Sequence, residues 1–287
     1  MKILVTGATG FTGVHFSRVA QLEGYTVVPL RSKLTNTNDL TAEIQNIQPE
    51  VVVHLAGISF VGGANHASFY EVNTVGTINL LQAVSQLKVK PVKVLIASSA
   101  NVYGNCVHSP INESQSTAPV NHYAASKLAM EHMALTYTDR LPIILCRLFN
   151  YTGTGQSQDF IIPKLVHHFG TRQSTISLGN LDVEREYNDV LSVCDNYITL
   201  INNGIPGEIY NICSGVTYSL NNIIKAFTHL TKHEIQIEIN PAFIRPNEIR
   251  SLCGNPDKLS SLYKNTKNPM LCFSIENLFS SMLKAYE

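Results

Sequence analysis

Through the first half of the chain, apolar residues fall in short unbroken runs, and between those runs they recur at helical spacing. The runs KILVT (2–6), TVVPL (26–30), VVVHLA (51–56), KVLIASS (93–99) and PIILCRLF (142–149) are short and mostly rich in β-branched residues, which predicts strands. Helices are predicted over 12–23, 40–47, 67–87 and 123–138, where the apolar positions return about every 3.6 residues. Continuous Val, Ile and Leu, without polar alternation, means strands covered on both faces, as in a parallel sheet flanked by helices. The expected fold class is therefore α/β: a Rossmann-type, doubly wound parallel sheet with right-handed crossovers. Beyond about 151 the pattern loosens. One further strand, GEIYNIC (207–213), and helices over 219–231 and 274–285 stand out among turn-rich stretches. Residues 1–150 are expected to form the sheet domain, with 187–215 returning to it. Residues 151–287 then mainly form a smaller C-terminal lobe over the strand ends, where open α/β sheets bind ligands.

Composition narrows the function classes. Charged residues make up 15% of the 287, and the formal net charge is zero, which gives no long-range grip on nucleic acid or an anionic membrane. No apolar run reaches the roughly 18–20 residues of a membrane span. A strand beginning at Lys2 leaves no room for a signal peptide. The cysteines at 106, 146, 194, 213, 253 and 272 are scattered without a Cys-x-x-Cys pair, against a disulfide framework or zinc site. The expectation is a soluble cytoplasmic protein without nucleic-acid, membrane or metal partners.

Chemistry enters at the first strand end. Gly7-Ala8-Thr9-Gly10-Phe11-Thr12-Gly13 is a Gly-x-x-Gly-x-x-Gly loop between a strand and a helix. Glycines there permit the tight turn and the approach of backbone N–H groups to a dinucleotide pyrophosphate at the helix N-terminus. For NAD(H), an acidic residue ends the second strand and bonds the ribose 2′-hydroxyl. Here that strand ends Leu30-Arg31-Ser32-Lys33, which has no carboxylate and two cations. This favours NADP(H), with NAD(H) also to be considered; the alternative is that Arg31 and Lys33 are solvated loop charges.

Tyr123 and Lys127 stand four apart, on one face of the predicted 123–138 helix. An ammonium near a phenol favours the phenolate, so such a tyrosine can pass protons to a substrate oxygen. Ser98 and Ser99 close the fourth strand, where a hydroxyl can bond a reacting carbonyl. His54, His66, His108 and Cys106 fall nearby but lack metal-ligand spacing, and no catalytic role is assigned to them.

With these motifs in hand, the chain resembles the extended short-chain dehydrogenase/reductase (NAD-dependent epimerase/dehydratase) family that acts on nucleotide sugars. The resemblance implies a catalytic triad of Ser99, Tyr123 and Lys127. It also implies a cofactor site formed by Gly7, Thr9, Gly10, Phe11, Thr12, Gly13, Arg31, Leu55, Ala56, Gly57 and Asn73 together with Tyr123 and Lys127. RLFNYTGTGQ (147–156), DFIIPKL (159–165), LGNLDVEREYNDV (178–190), GEIYNICSG (207–215) and RPNEI (245–249) resemble the GDP-4-keto-6-deoxy-mannose reductase branch. By that likeness Asn150, Lys164, Arg185, Arg245 and Glu248 would contact the substrate, a GDP-linked sugar. Departures are Thr154 where the family has proline, EYNDV for Asp-Phe-x-Asp-Val, and the absence of Trp. These leave room for a variant sugar such as a 6-deoxy-heptose. The dehydratases' acid beside the serine is replaced by Ala100 and Asn101, which leaves reduction at C4 or, as the alternative, 4-epimerisation. A non-catalytic dinucleotide-binding regulator ranks below both, since all three triad positions are intact. The 67–87 and 123–138 helices resemble those through which family members pair as homodimers.

Overall fold

The computed structural model describes residues 1–59, 65–106, 108–244, 249–265 and 274–286. Its first half alternates β1 (Lys2–Thr6), α1 (Phe11–Leu22), β2 (Thr26–Pro29), α2 (Thr37–Ile47), β3 (Val51–His54), α3 (His66–Phe69), α4 (Gly76–Ser85), β4 (Lys93–Ser99), α5 (His122–Leu135) and β5 (Ile143–Leu148). Then come β6 (Tyr151–Thr152), α6 (Ile161–Gly170), β7 (Thr175–Leu178), β8 (Glu184–Arg185), β9 (Asn188–Asp189), α7 (Val190–Asn203) and β10 (Ile209–Ile212). The rest holds β11 (Tyr218–Ser219), α8 (Leu220–Thr231), β12 (Gln236–Ile239), β13 (Ser251–Leu252), α9 (Asp257–Ser260) and α10 (Ile275–Leu283).

Six strands form one parallel sheet in the order β10-β5-β4-β3-β1-β2. Alternation of side chains across each strand divides the apolar runs between two cores. Ile3, Val5, Val51 and Val53 face α1 and α7 through Phe16, Ala20, Val193 and Tyr197. Leu4, Val52, Val94 and Ile96 face α2, α4 and α5 through Leu40, Ile44, Leu80, Leu81 and Met130. A third core, built from Leu165, Phe169, Ile223, Phe227, Leu278 and Phe279, joins α6, α8 and α10. β7 and β12 pair in parallel, and β8 lies between β11 and β13.

The chain leaves β1 toward β2 on one side and returns past β1 to β3 on the other, so the strand order reverses between β1 and β3. Open α/β sheets bind ligands in the crevice at such a switch point. The loops that border it here are Gly7–Gly13 after β1 and Leu55–Gly57 after β3. Three elements differ from expectation. The predicted 67–87 helix is interrupted by a π-helical turn, Tyr70–Val75, in which Asn73 is buried. Ile161–Gly170 is a helix despite Pro163, which sits in its first turn, where no intrahelical N–H donor is required. Val190–Asn203 is a long helix, capped by Asp189 accepting from the Leu191 N–H at 2.7 Å.

Candidate active site

The glycine loop is shaped by close backbone approaches. Gly7 has φ +67°, and a Cβ there would stand 2.8 Å from Ala56 N. At Gly13 a Cβ would stand 2.1 Å from Gly7 O and 2.6 Å from Ala8 Cα, so helix, turn and strand end meet with no room for a side chain. Gly10 caps α1 without a side-chain hydrogen bond, whereas Asn36, Asn121, Ser219 and Ser274 cap α2, α5, α8 and α10 with theirs. The first-turn N–H groups of α1, at Phe11, Thr12 and Gly13, therefore face the crevice as an uncapped set of donors with the positive end of the helix dipole. Thr12 Oγ1 lies 2.7 Å from Tyr151 Oη and Phe11 stacks on Tyr151 at 6.1 Å, fixing this turn against the loop after β5. Thr9 is exposed in the loop.

Across the crevice stand Ser99, Tyr123 and Lys127. β4 carries two serines at its end, and the structure separates them. Ser98 donates to the Glu131 carboxylate inside the protein. Ser99 accepts from Asn101 N at 3.2 Å and Asn101 Nδ2 at 3.0 Å, and its hydroxyl acts on the Tyr123 phenol. Asn101, a residue without acid–base chemistry of its own, thus bonds the Ser99 oxygen and leaves the Ser99 proton to be donated elsewhere. Burial pushes the Tyr123 pKa up and the Ser99 hydrogen bond opposes it, leaving a net rise. The phenol is therefore not lowered as the Tyr–Lys spacing alone suggested, because desolvation of the phenolate outweighs its partners. Lys127 Nζ donates to Ala97 O at 2.8 Å and would stand 3.2 Å from a Gly57 Cβ. Burial lowers its pKa to about 8, against the raising effect of Glu131 one turn along.

Glu131 itself is buried and paired with Arg147, 2.7 Å from Nη2, with Nε at 3.0 Å from its other oxygen. The Arg147 guanidinium lies 4.7 Å over the Tyr103 ring. This bidentate pair pins α5 to β4 and β5 directly behind Lys127.

His54 connects the β3 end to α5. Ala56 N donates to Thr6 Oγ1 at 3.1 Å, and Thr6 Oγ1 lies 2.6 Å from His54 Nδ1. His54 Nε2 lies 2.8 Å from Thr77 Oγ1, which spends its own proton on Asn73 O at 2.6 Å. The donor sequence fixes the tautomer: Nε2 carries the proton and Nδ1 accepts. Asn73 then accepts from Ile58 N at 2.9 Å and donates to Ser126 Oγ at 3.0 Å, so one directional chain runs from the β3 loop to α5. Burial, and secondarily the charge of Lys127, lowers the His54 pKa from 6.5 to about 3. Between those values the unfolded chain binds a proton that the folded chain excludes. Stability from this site is therefore complete above pH 6.5 and lost as pH falls toward 3, by about 1.4 kcal/mol per pH unit. Urea midpoints at pH 7 and pH 5 are expected to fall further in the wild type than in His54→Gln; equal falls would refute this.

The remaining expected contacts are dispersed over neighbouring loops. Asn150 is exposed after β5, with its carbonyl accepting from Asn188 N at 3.0 Å. Lys164 donates to Ser177 O at 2.7 Å and lies 5.0 Å over the Phe243 ring. Arg185 Nη1 donates to Glu184 O at 2.7 Å, on the central strand of the three-stranded sheet. Arg245 and Glu248 lie outside the described residues. His66 lies 4.2 Å from His122, ring planes tilted by 57°, and His122 precedes Tyr123 in sequence. His108 and Cys106 line a surface cavity with Asn105, Ser109, Ile111, Arg250 and Ser251, and burial raises the Cys106 thiol.

Two acidic residues escaped the sequence reading. Glu186, fully buried, accepts from Gly254 N and Ser214 N, each at 2.7 Å, and ties β8–β9 to the loops after β10 and β13. Glu43 accepts from Arg31 N at 2.9 Å and Ser32 N at 2.7 Å, so a carboxylate does stand at the end of β2, supplied by α2. Neither has a sequence signal, since both act on backbone N–H groups far from them in the chain. Arg31 and Lys33 are exposed at the same corner.

Comparison with known proteins places this geometry. A family model described as GDP-mannose 4,6 dehydratase matches residues 30–263. A GDP-6-deoxy-D-talose 4-dehydrogenase of Aggregatibacter actinomycetemcomitans is 37% identical over 271 residues, covering 92% of each protein. A GDP-6-deoxy-D-mannose reductase of Pseudomonas aeruginosa is 30% identical over 90% of this chain and 89% of its own. The crystal structure of RMD from Pseudomonas aeruginosa complexed with NADPH superposes with a TM-score of 0.88 at 27% identity, covering 99% of this chain and 98% of that one. With its parallel sheet, glycine loop and buried Ser–Tyr–Lys cluster, this chain belongs to the GDP-mannose 4,6-dehydratase family of extended short-chain dehydrogenases/reductases.

Proposed function

We propose that this protein is a nicotinamide-dependent oxidoreductase that reduces C4 of a GDP-4-keto-6-deoxy sugar, with NADP(H) favoured and NAD(H) accepted. The observation that carries this reading is Ser99 at the strand edge, its oxygen bonded by Asn101 at 3.0 Å where a dehydratase would need an acid. An amide neither protonates a leaving hydroxyl nor removes the C5 proton, so elimination of water lacks its catalyst and redox chemistry at C4 remains. The relatives named above, a GDP-6-deoxy-D-talose 4-dehydrogenase and a GDP-6-deoxy-D-mannose reductase, are named for oxidoreduction of GDP-6-deoxyhexoses that differ in configuration at C4, which supports redox chemistry at that carbon.

The crevice fits a dinucleotide on its own geometry. Uncapped donors at the start of α1 suit a pyrophosphate, and the absence of room at Gly7 and Gly13 holds the backbone where phosphate oxygens can reach those donors. Lys127, beside Gly57, is placed to bond the nicotinamide ribose. When bound, the nicotinamide delivers hydride to C4. Ser99 donates a hydrogen bond to the substrate carbonyl oxygen, and Tyr123 Oη gives that oxygen its proton. The C4 ketone thus becomes a secondary alcohol with one hydride and one proton gained. Charge developing on the oxygen meets the fixed Ser99 and Tyr123 hydroxyls and the nearby Lys127 ammonium, a preorganised stabilisation. The phenol's raised pKa keeps it protonated, as a proton donor for reduction must be. Asn150, Lys164, Arg185, Arg245 and Glu248 are proposed to hold the GDP-sugar.

The reading is tested by following absorbance at 340 nm with purified protein, NADPH and GDP-4-keto-6-deoxy-mannose generated in situ by a dehydratase. Stoichiometric loss of NADPH with formation of a GDP-6-deoxy-hexose is expected. Absence of oxidation with the hexose and with the corresponding heptose substrate would overturn it.

A further inference from the structure

The corner at the end of β2 carries a feature that the two exposed cations conceal. In dinucleotide-binding sheets the adenosine ribose lies at the C-terminal end of the second strand, where its 2′ substituent is recognised. β2 ends at Pro29, and Leu30 N still bonds Val5 O at 2.9 Å, so the next two residues form that recognition corner. Their backbone N–H groups, at Arg31 and Ser32, are both taken by the two oxygens of Glu43, at 2.9 and 2.7 Å. Glu43 is half-buried on α2, and hydrogen bonds from Arg31, Ser32 and the Ser32 side chain lower its pKa in spite of its burial. The corner thus holds an anion directly at the backbone donors, together with the exposed cations Arg31 and Lys33.

We propose that Glu43 is a cofactor-specificity residue, supplying from α2 the carboxylate missing from the end of β2 and restraining the preference for a 2′-phosphate that Arg31 confers. The inference rests on the nicotinamide reading above. A 2′-hydroxyl is a donor and can bond a carboxylate. A 2′-phosphate carries only acceptors at neutral pH, finds both backbone donors occupied, and meets like charge. Arg31 and Lys33 attract the phosphate; Glu43 opposes it. The outcome is a site able to use both cofactors, with their ratio set by the balance of these charges.

Glu43→Gln keeps the side chain's shape and one acceptor oxygen while deleting the charge. Dissociation constants of NADPH and NADH would be measured by isothermal titration calorimetry on wild type and variant, with circular dichroism verifying the fold. Removal of one like charge at the site is expected to shift the NADH-to-NADPH dissociation-constant ratio about tenfold in favour of NADPH. In the double variant Arg31→Gln/Glu43→Gln, the ratio is expected to fall back toward the wild-type value. An unchanged ratio, or equal weakening of both cofactors in Glu43→Gln, would overturn the proposal and leave Glu43 as a clamp for the 31–32 backbone. A wild-type protein that binds neither cofactor would instead strike down the nicotinamide reading beneath it.

Discussion

Tyr123→Phe is expected to lower kcat by about 1,000-fold while leaving the dissociation constants of NADPH and substrate within a few-fold of wild type. The ring of Tyr123 packs edge-on against Phe69 at 6.1 Å, and Phe retains that contact. Only the hydroxyl is lost, and with it the proposed proton donor. The effect therefore belongs to kcat, since the interaction is made with charge that develops on the reacting oxygen. Stopped-flow single turnovers separate the chemical step from product release. A variant with near-normal turnover would place the proton donor elsewhere.

Gly13→Ala is expected to abolish measurable dinucleotide binding and to cost about 3 kcal/mol of stability, at the upper end of overpacking penalties. The added methyl would meet Gly7 O at 2.1 Å and the Ala8 backbone at 2.6 and 2.8 Å. None of these is a side chain that can rotate away, so α1 must lift from the turn after β1. Alanine is otherwise favoured over glycine in a helix, so any loss reports the clash rather than propensity. Gly10→Ala, whose added methyl comes no nearer than 3.3 Å to Gly7 O, is the matched control. Calorimetric titration with NADPH and urea unfolding measure both effects. Wild-type binding by Gly13→Ala would contradict the close packing of strand, turn and helix.

The sheet was largely readable from the chain because burial on both faces leaves runs such as KILVT and KVLIASS, whose ends coincide with β1 and β4. Readability failed where tertiary demands override local pattern. The π-helical turn at Tyr70–Val75 carries no helix-breaking residue such as Gly or Pro, so nothing in YEVNTV marks it. Ile161–Gly170 was hidden by Pro163, which is a helix breaker in general but harmless in a first turn. At the site, the spacing of Tyr123 and Lys127 was visible and resemblance pointed to Ser99, whereas the different partners of Ser98 and Ser99 come from the structure. Glu43 and Glu186 were invisible for a different reason: they act on backbone N–H groups, which every residue but proline possesses, so no side-chain motif marks their targets. His54 stood out as a histidine near the site. Its role as a neutral link between the β3 loop and Asn73 emerges only from the order of donors along the chain of hydrogen bonds.

Transfer of label from NADPH dideuterated at the nicotinamide C4 tests the central claim, reduction at C4 of the nucleotide sugar, most directly. Mass spectrometry and proton NMR of the GDP-sugar formed are expected to show one deuterium, located at C4, for each NADPH oxidised. A C4-inverted product carrying no label and accompanied by no net oxidation would contradict the account and identify the chain as an epimerase.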